Sequence, residues 1–181
     1  MGSGTGRILG LRSDDPVLSW IGSLGLALAA PSCLVVDLVG PFQPGGRSLV
    51  DVYAEGPRLD EISPARVGTA VVPGGNLDAS EVQDAVGLLG RSWPRLVVRS
   101  DGVRWPGATV PYAGLYPGAL APTAKGPAVW QRLRSSGQAP GPGPVLPRIG
   151  SAAVTLLLDN KRPTSRRWVK SWARVWAMPW G

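Results

Sequence analysis

No histidine occurs in these 181 residues, and cysteine occurs once, at Cys33. The missing histidine excludes Ser-His-Asp and Cys-His catalysis and any histidine-ligated metal centre. A single cysteine excludes an internal disulfide, which fits a reducing compartment. Charge is sparse at 17% of residues, and it leans basic, with 19 Lys+Arg against 12 Asp+Glu. The acids that are present are scattered. Asp78 and Glu81, like Asp14 and Asp15, sit where a helix start explains them without catalysis. No pair of carboxylates is spaced for general acid–base work, and no cofactor or metal is implied.

What is abundant is glycine (25) and proline (19), which predicts many turns. The apolar fraction of 44% is ordinary for a globular chain, and the length suits one domain with an extension. The uncharged stretch from Pro16 to Val36 is long enough to span a bilayer. Pro31 interrupts it, however, and Asp14 and Asp15 stand where a secretory leader carries positive charge. It therefore reads as a buried helix followed by a strand.

Alternation of element types sets the expected fold class. Arg7–Leu11 reads as a first strand, and Asp14-Asp15-Pro16 as a helix start. Val17–Ala30 follows as a helix. Cys33–Val39, apolar except for Asp37, reads as a strand covered on both faces. Leu49–Tyr53 predicts a helical turn and Thr69–Val72 a strand. Asp78–Glu81 opens a helix carrying Val82, Ala85, Val86 and Leu89 on one face, with Gly90 as its stop. Arg95–Val98 is the next strand. Further on, Ala108–Ala121 is mixed apolar and turn-forming, Val129–Leu133 predicts a short helix, Gln138–Pro144 a hinge, and Ala152–Leu158 a helix or strand. Strand–helix–strand order argues for a three-layer α/β fold with a mostly parallel sheet.

Three segments imitate phosphate loops. Gly2–Gly6 has no strand before it, and Gly22-Ser23-Leu24-Gly25 has no lysine. Pro41–Ser48 mimics G-x-x-x-x-G-K-[ST], with Gly45, Gly46, Arg47 and Ser48 as its closest part and Asp37 nearby. Its prolines remove backbone donors that a phosphate cradle needs. Asp37, at the end of a buried strand, lies where α/β proteins bind ligands. The alternative reading for that position is a hydrogen-bonded structural carboxylate.

The run from Cys33-Leu34-Val35-Val36-Asp37-Leu38-Val39 to Gly45-Gly46-Arg47-Ser48-Leu49 resembles the "LLVDxDxxGGSL" strand and loop of the MinD/ParA family of P-loop ATPases. Gly68–Gly75 resembles that family's next strand and turn, and the likeness extends over roughly residues 20 to 102. The departures fall on the chemistry. No lysine occurs between Asp14 and Gly25, where the family's lysine-bearing loop is expected. Its second aspartate falls at Val39, and its later strand-end aspartate at Arg99. The resemblance thus implies a degenerate, ATPase-like scaffold without the parts that phosphoryl transfer requires.

The last segment, 159–181, is set apart from a main domain at 1–158. It carries six basic residues and one acid, most of the chain's +7. At helical spacing Trp168, Trp172 and Trp176 share one face, and Arg167, Lys170 and Arg174 the other. This predicts a basic, Trp-rich amphipathic C-terminal helix. The tryptophans would pack on the domain itself or serve as anchors on an anionic membrane or a protein partner. The sequence therefore points to a non-catalytic binding or positioning protein, a pseudo-ATPase acting through protein or membrane surfaces. Its partner would be an intact ATPase or membrane machinery. The contrasting readings are an ATPase with an atypical phosphate loop and a basic nucleic-acid-binding protein. The implied location is cytoplasmic, peripheral at the inner face of the membrane if the tail meets lipid.

Overall fold

The computed structural model describes residues 7–40, 46–58, 69–116, 126–133 and 137–180. Its centre is a sheet of strands β1 (Arg7–Arg12), β2 (Cys33–Asp37), β3 (Ala70–Pro73), β4 (Arg95–Arg99), β5 (Thr109–Leu115), β6 (Val129–Arg132) and β7 (Val145–Leu146). Their order is β3-β2-β4-β1-β5-β6-β7, and every pairing is parallel. The α/β expectation holds for the sheet.

Parallel strands must be covered on both faces, and the alternation within β2 and β4 shows how. Val35 and Val97 face one core together with Leu9, Leu11 and Val110. Leu34, Val36, Leu96 and Val98 face the other. Helix α1 (Pro16–Leu28) covers the first face with α4 (Ser151–Leu158), α5 (Arg166–Ser171) and α6 (Ala173–Ala177). Helices α2 (Leu49–Glu55) and α3 (Ala79–Ser92) cover the second through Leu49, Val52, Val82, Ala85, Val86 and Leu89.

The helix starts follow their sequence signals. Asp15 caps α1, accepting the N–H of Val17 and Leu18, with Pro16 in the first turn. Asp78 with Glu81, and Ser48 with Asp51, each form a reciprocal capping box. Other expectations are corrected. Gly90 does not end α3, which runs on to Ser92; a Cβ at Gly90 would lie 3.3 Å from Ile8 Cδ1, so the glycine lets the helix approach β1. Val129–Leu133 is not a helix, because Val129–Arg132 pairs as β6 with β5 and β7. So short an apolar run carries no periodicity that separates the two states. Nor is 138–144 a free hinge. The carbonyls of Pro142 and Pro144 accept the N–H of Ala128 and Trp130, each at 2.9 Å.

The boundary at 158/159 divides residues that share one core. Trp168, Trp172, Val175 and Trp176 pack in the same cluster as Leu24, Leu26 and Tyr112. The expected single tail helix is two short ones meeting at Trp172, and neither start carries a side-chain cap.

Candidate functional site

Open parallel sheets bind ligands outside the carboxyl ends of their strands, where the strand order reverses. Here β1 lies between β4 and β5, and β2 lies beyond β4, so that place is the edge formed by Arg12, Asp37 and Arg99. A salt bridge fills it. Arg99 Nη1 donates to Asp37 Oδ1 at 3.0 Å and Oδ2 at 3.1 Å, and both side chains are almost wholly buried. The same guanidinium donates from Nε to Ser19 Oγ (3.0 Å), from Nη1 to the Gly40 carbonyl (3.1 Å) and from Nη2 to the Pro16 carbonyl (3.2 Å). Its Cζ lies 5.6 Å from the Trp20 ring centroid. Asp37 in turn accepts the N–H of Val39 (3.1 Å) and Gly40 (3.3 Å).

Burial pushes the Asp37 carboxyl above its ordinary value, against the pull of Arg99 and of the two backbone donors. Burial also lowers Arg99, and Asp37 opposes that shift. Each group thus opposes the loss of its partner's charge. The pair serves as an internal counter-ion and, with the two backbone donors, engages both oxygens of the Asp37 carboxylate. Of Asp37's two sequence readings, the structure supports the hydrogen-bonded structural one.

The rest of this edge is closed by the same means. The β1–α1 turn, Ser13–Asp15, contains neither glycine nor lysine. At the α1 start, where an anion would meet free N–H groups, Asp15 already takes two of them at 2.8 and 3.0 Å. Arg104 ties β4 to its neighbours, donating to Asp101 Oδ2 at 2.8 Å, to the Gly75 carbonyl at 2.9 Å and to the Leu38 carbonyl. Just beyond the carboxyl ends of β2, β4 and β5, and in the first turns of α1 and α2, the exposed apolar side chains are Val39, Tyr116, Val17, Val50 and, at 79% exposure, Val103.

The loop resembling a phosphate cradle is organised otherwise. Gly45 lies outside the described residues, as do Pro41 and Pro44. Arg47, with 7% of its side chain exposed, donates to Glu55 Oε2 and to the carbonyls of Asp51 and Gly56, clasping α2. The Ser48 hydroxyl and N–H hold Asp51, whose carboxyl lies below its ordinary value for that reason. In the described part of the segment, the Arg47 and Ser48 side chains clasp and cap α2. Gly22–Gly25 is not a phosphate cradle, because it lies inside α1. A Cβ at Gly22 would lie 2.6 Å from Tyr112 Cε1, and one at Gly25 would lie 2.4 Å from Trp168 Cη2. These glycines make room for rings. Gly2–Gly6 lies outside the described residues.

The tail divides its predicted site residues sharply. Trp168, Trp172 and Trp176 are buried and so are not outward anchors. Trp168 Nε1 donates to Gln131 Oε1 at 2.8 Å, and Trp176 Nε1 to the Leu26 carbonyl at 2.9 Å. Trp172 meets Tyr112 and Trp168 edge-on, with centroids 5.0 and 5.7 Å apart. The physical reason is the apolar, glycine-notched face of α1, which the indoles cover. Arg167, Lys170 and Arg174 remain exposed.

Sequence reasoning missed Arg99 as a structural partner of Asp37, treating it only as a departure. The one signal in the sequence was an arginine ending an apolar strand; its register opposite Asp37 comes from the pairing of β2 with β4. Among the described residues no cluster of His, Cys, Asp or Glu could hold a metal ion, and no helix is long and apolar enough to cross a membrane. Comparison with protein-family models, with curated proteins and with solved structures finds no match for this chain.

Proposed function

We propose that this chain is a non-catalytic binding or positioning protein, a pseudo-ATPase on a degenerate MinD/ParA-like scaffold. The observation that carries the reading is the buried Arg99–Asp37 pair. It occupies the crevice in which a nucleotide phosphate and its metal would need an unpaired carboxylate and free donors. Asp15 at the α1 start works in the same sense. With that edge closed to small anions, the exposed Val17, Val39 and Val103 give it the character of a protein-facing surface. Its partner is an intact ATPase or membrane machinery. Membrane contact, where it occurs, is electrostatic and made by the exposed tail cations without insertion of indoles.

The test is a titration of fluorescent ATP with Mg²⁺, alongside a phosphate-release assay. Neither binding nor turnover above a buffer control is expected. Turnover that disappears in Asp37→Ala would overturn the reading.

A further inference from the structure

Two cavities open away from the plugged crevice, and cations line them. One, of about 650 Å³, is bounded by Arg162, Pro163, Thr164, Arg166, Val169 and Lys170. The other, of about 570 Å³, lies at the amino edge of the sheet, where the α1–β2 turn from Leu28 to Cys33 and Trp93 form its walls. Arg162 lines both, so the two share a wall.

The cations of the first cavity differ from the other well-placed arginines. Arg7, Arg47, Arg99 and Arg104 each donate to carbonyls or carboxylates. Among the described residues Arg162, Arg166 and Lys170 have no side-chain hydrogen bond or ion pair, and no acid lines their cavity. Arg166 and Lys170 stand one turn apart on α5, a spacing at which like charges weaken a helix. Three cations lining one cavity with no counter-ion among the described residues favour an anion there, and the Thr164 hydroxyl on the same wall is a neutral donor. The second cavity supplies apolar surface at Leu28, Ala29, Ala30 and Pro31. It also holds the half-buried Trp93 indole, whose buried Nε1 has no acceptor among the described residues.

We propose that the two cavities together bind an amphipathic phosphate ester. Arg162, Arg166 and Lys170 hold the phosphate, and its apolar body lies along the α1–β2 turn and Trp93. A free ester and a membrane lipid headgroup share this chemistry. The proposal stands apart from the reading of the carboxyl edge and survives its failure.

The experiment is calorimetric titration of the full chain with dodecyl phosphate below its micelle threshold, with inorganic phosphate and with uncharged dodecyl maltoside. Dodecyl phosphate should bind, inorganic phosphate at least about tenfold more weakly, and the maltoside not at all. The double variant Arg166→Gln, Lys170→Gln should lose about tenfold or more in affinity for dodecyl phosphate with unchanged circular dichroism. Ala30→Leu, which narrows the apolar cavity, should weaken dodecyl phosphate and leave inorganic phosphate unaffected. Co-sedimentation with phosphatidylcholine vesicles carrying phosphatidic acid assigns the ligand to a membrane; binding of the free ester without sedimentation assigns it to solution. Three results would overturn the proposal: no binding of dodecyl phosphate, equal binding by the double variant, or equal weakening by the distant control Arg91→Gln, Arg148→Gln.

Discussion

Replacing Arg99 by Met keeps much of the side-chain volume and removes the charge that neutralises Asp37. The lost contacts are the two to the carboxylate and those to Ser19 Oγ and the carbonyls of Gly40 and Pro16. Among the described residues the Asp37 side chain, 2% exposed, is left with only the N–H of Val39 and Gly40. Breaking a buried pair from one side costs about 3–5 kcal/mol, a large part of a domain stability of about 5–15 kcal/mol. For a chain of this size that lowers Tm by about 6–20 °C. Removing both charges, in Arg99→Met with Asp37→Leu, should recover part of the loss, since an apolar pair leaves no orphaned carboxylate. Urea unfolding of the wild type, both single variants and the double variant closes the cycle and isolates the coupling. The pH dependence has a definite sign. Burial raises the Asp37 carboxyl, and without Arg99 nothing charged opposes it. A raised carboxyl loses stability as pH climbs through its folded value, so the deficit of Arg99→Met should be smaller near about pH 4 than near about pH 7. A cost for Arg99→Met under about 1 kcal/mol, or a double variant no more stable than Arg99→Met alone, would refute the account of a buried pair bracing this edge.

Two further outcomes are expected. Cys33 is buried, and burial pushes its thiol from 9.0 up to about 12; a thiol reagent should label it only after denaturant is added. Its contribution to stability is full below about pH 9 and fades as pH rises towards 12, so Cys33→Ala should flatten the alkaline fall in melting temperature, and rapid native labelling would contradict the burial. Trp172→Ala removes a ring with 0% exposure and should cost about 3–5 kcal/mol in urea unfolding; an unchanged midpoint accompanied by loss of vesicle binding would show the indole to be an outward anchor instead.

The centre of the sheet was legible because its strands are short apolar runs bounded by turn signals, and two of its helices start at Asp15 and Asp78 with their side-chain caps; the cap at Ser48 was not read. Legibility fell after Asp101. There β6 is a short apolar segment that helix and strand share, and its identity comes from pairing with β5 and from the Pro142 and Pro144 carbonyls. At the carboxyl edge the sequence showed which residues were missing for catalysis but not what replaced them, because Asp37 and Arg99 are partners only through the register of β2 on β4. In the tail, amphipathic spacing identified the apolar face correctly but could not tell a membrane from α1. What decided it was a tertiary detail: Gly22 and Gly25 leave room against α1 for Tyr112, Trp168 and Trp172.

The long reach of that tail has a consequence for how the chain acquires its structure. Trp176 closes on Leu26 across 150 positions, and Trp168 and Trp172 lie against Gly25. While the chain is being made, α1 and its apolar face therefore exist well before the rings that cover them. Contacts of such separation are closed late, and the waiting surface is the kind that aggregates or recruits chaperones. A chain stopped short of Arg166 would contain every strand of the sheet and still present α1 to solvent, so the final turns act as a completion step for the fold and hardly at all as an appendage.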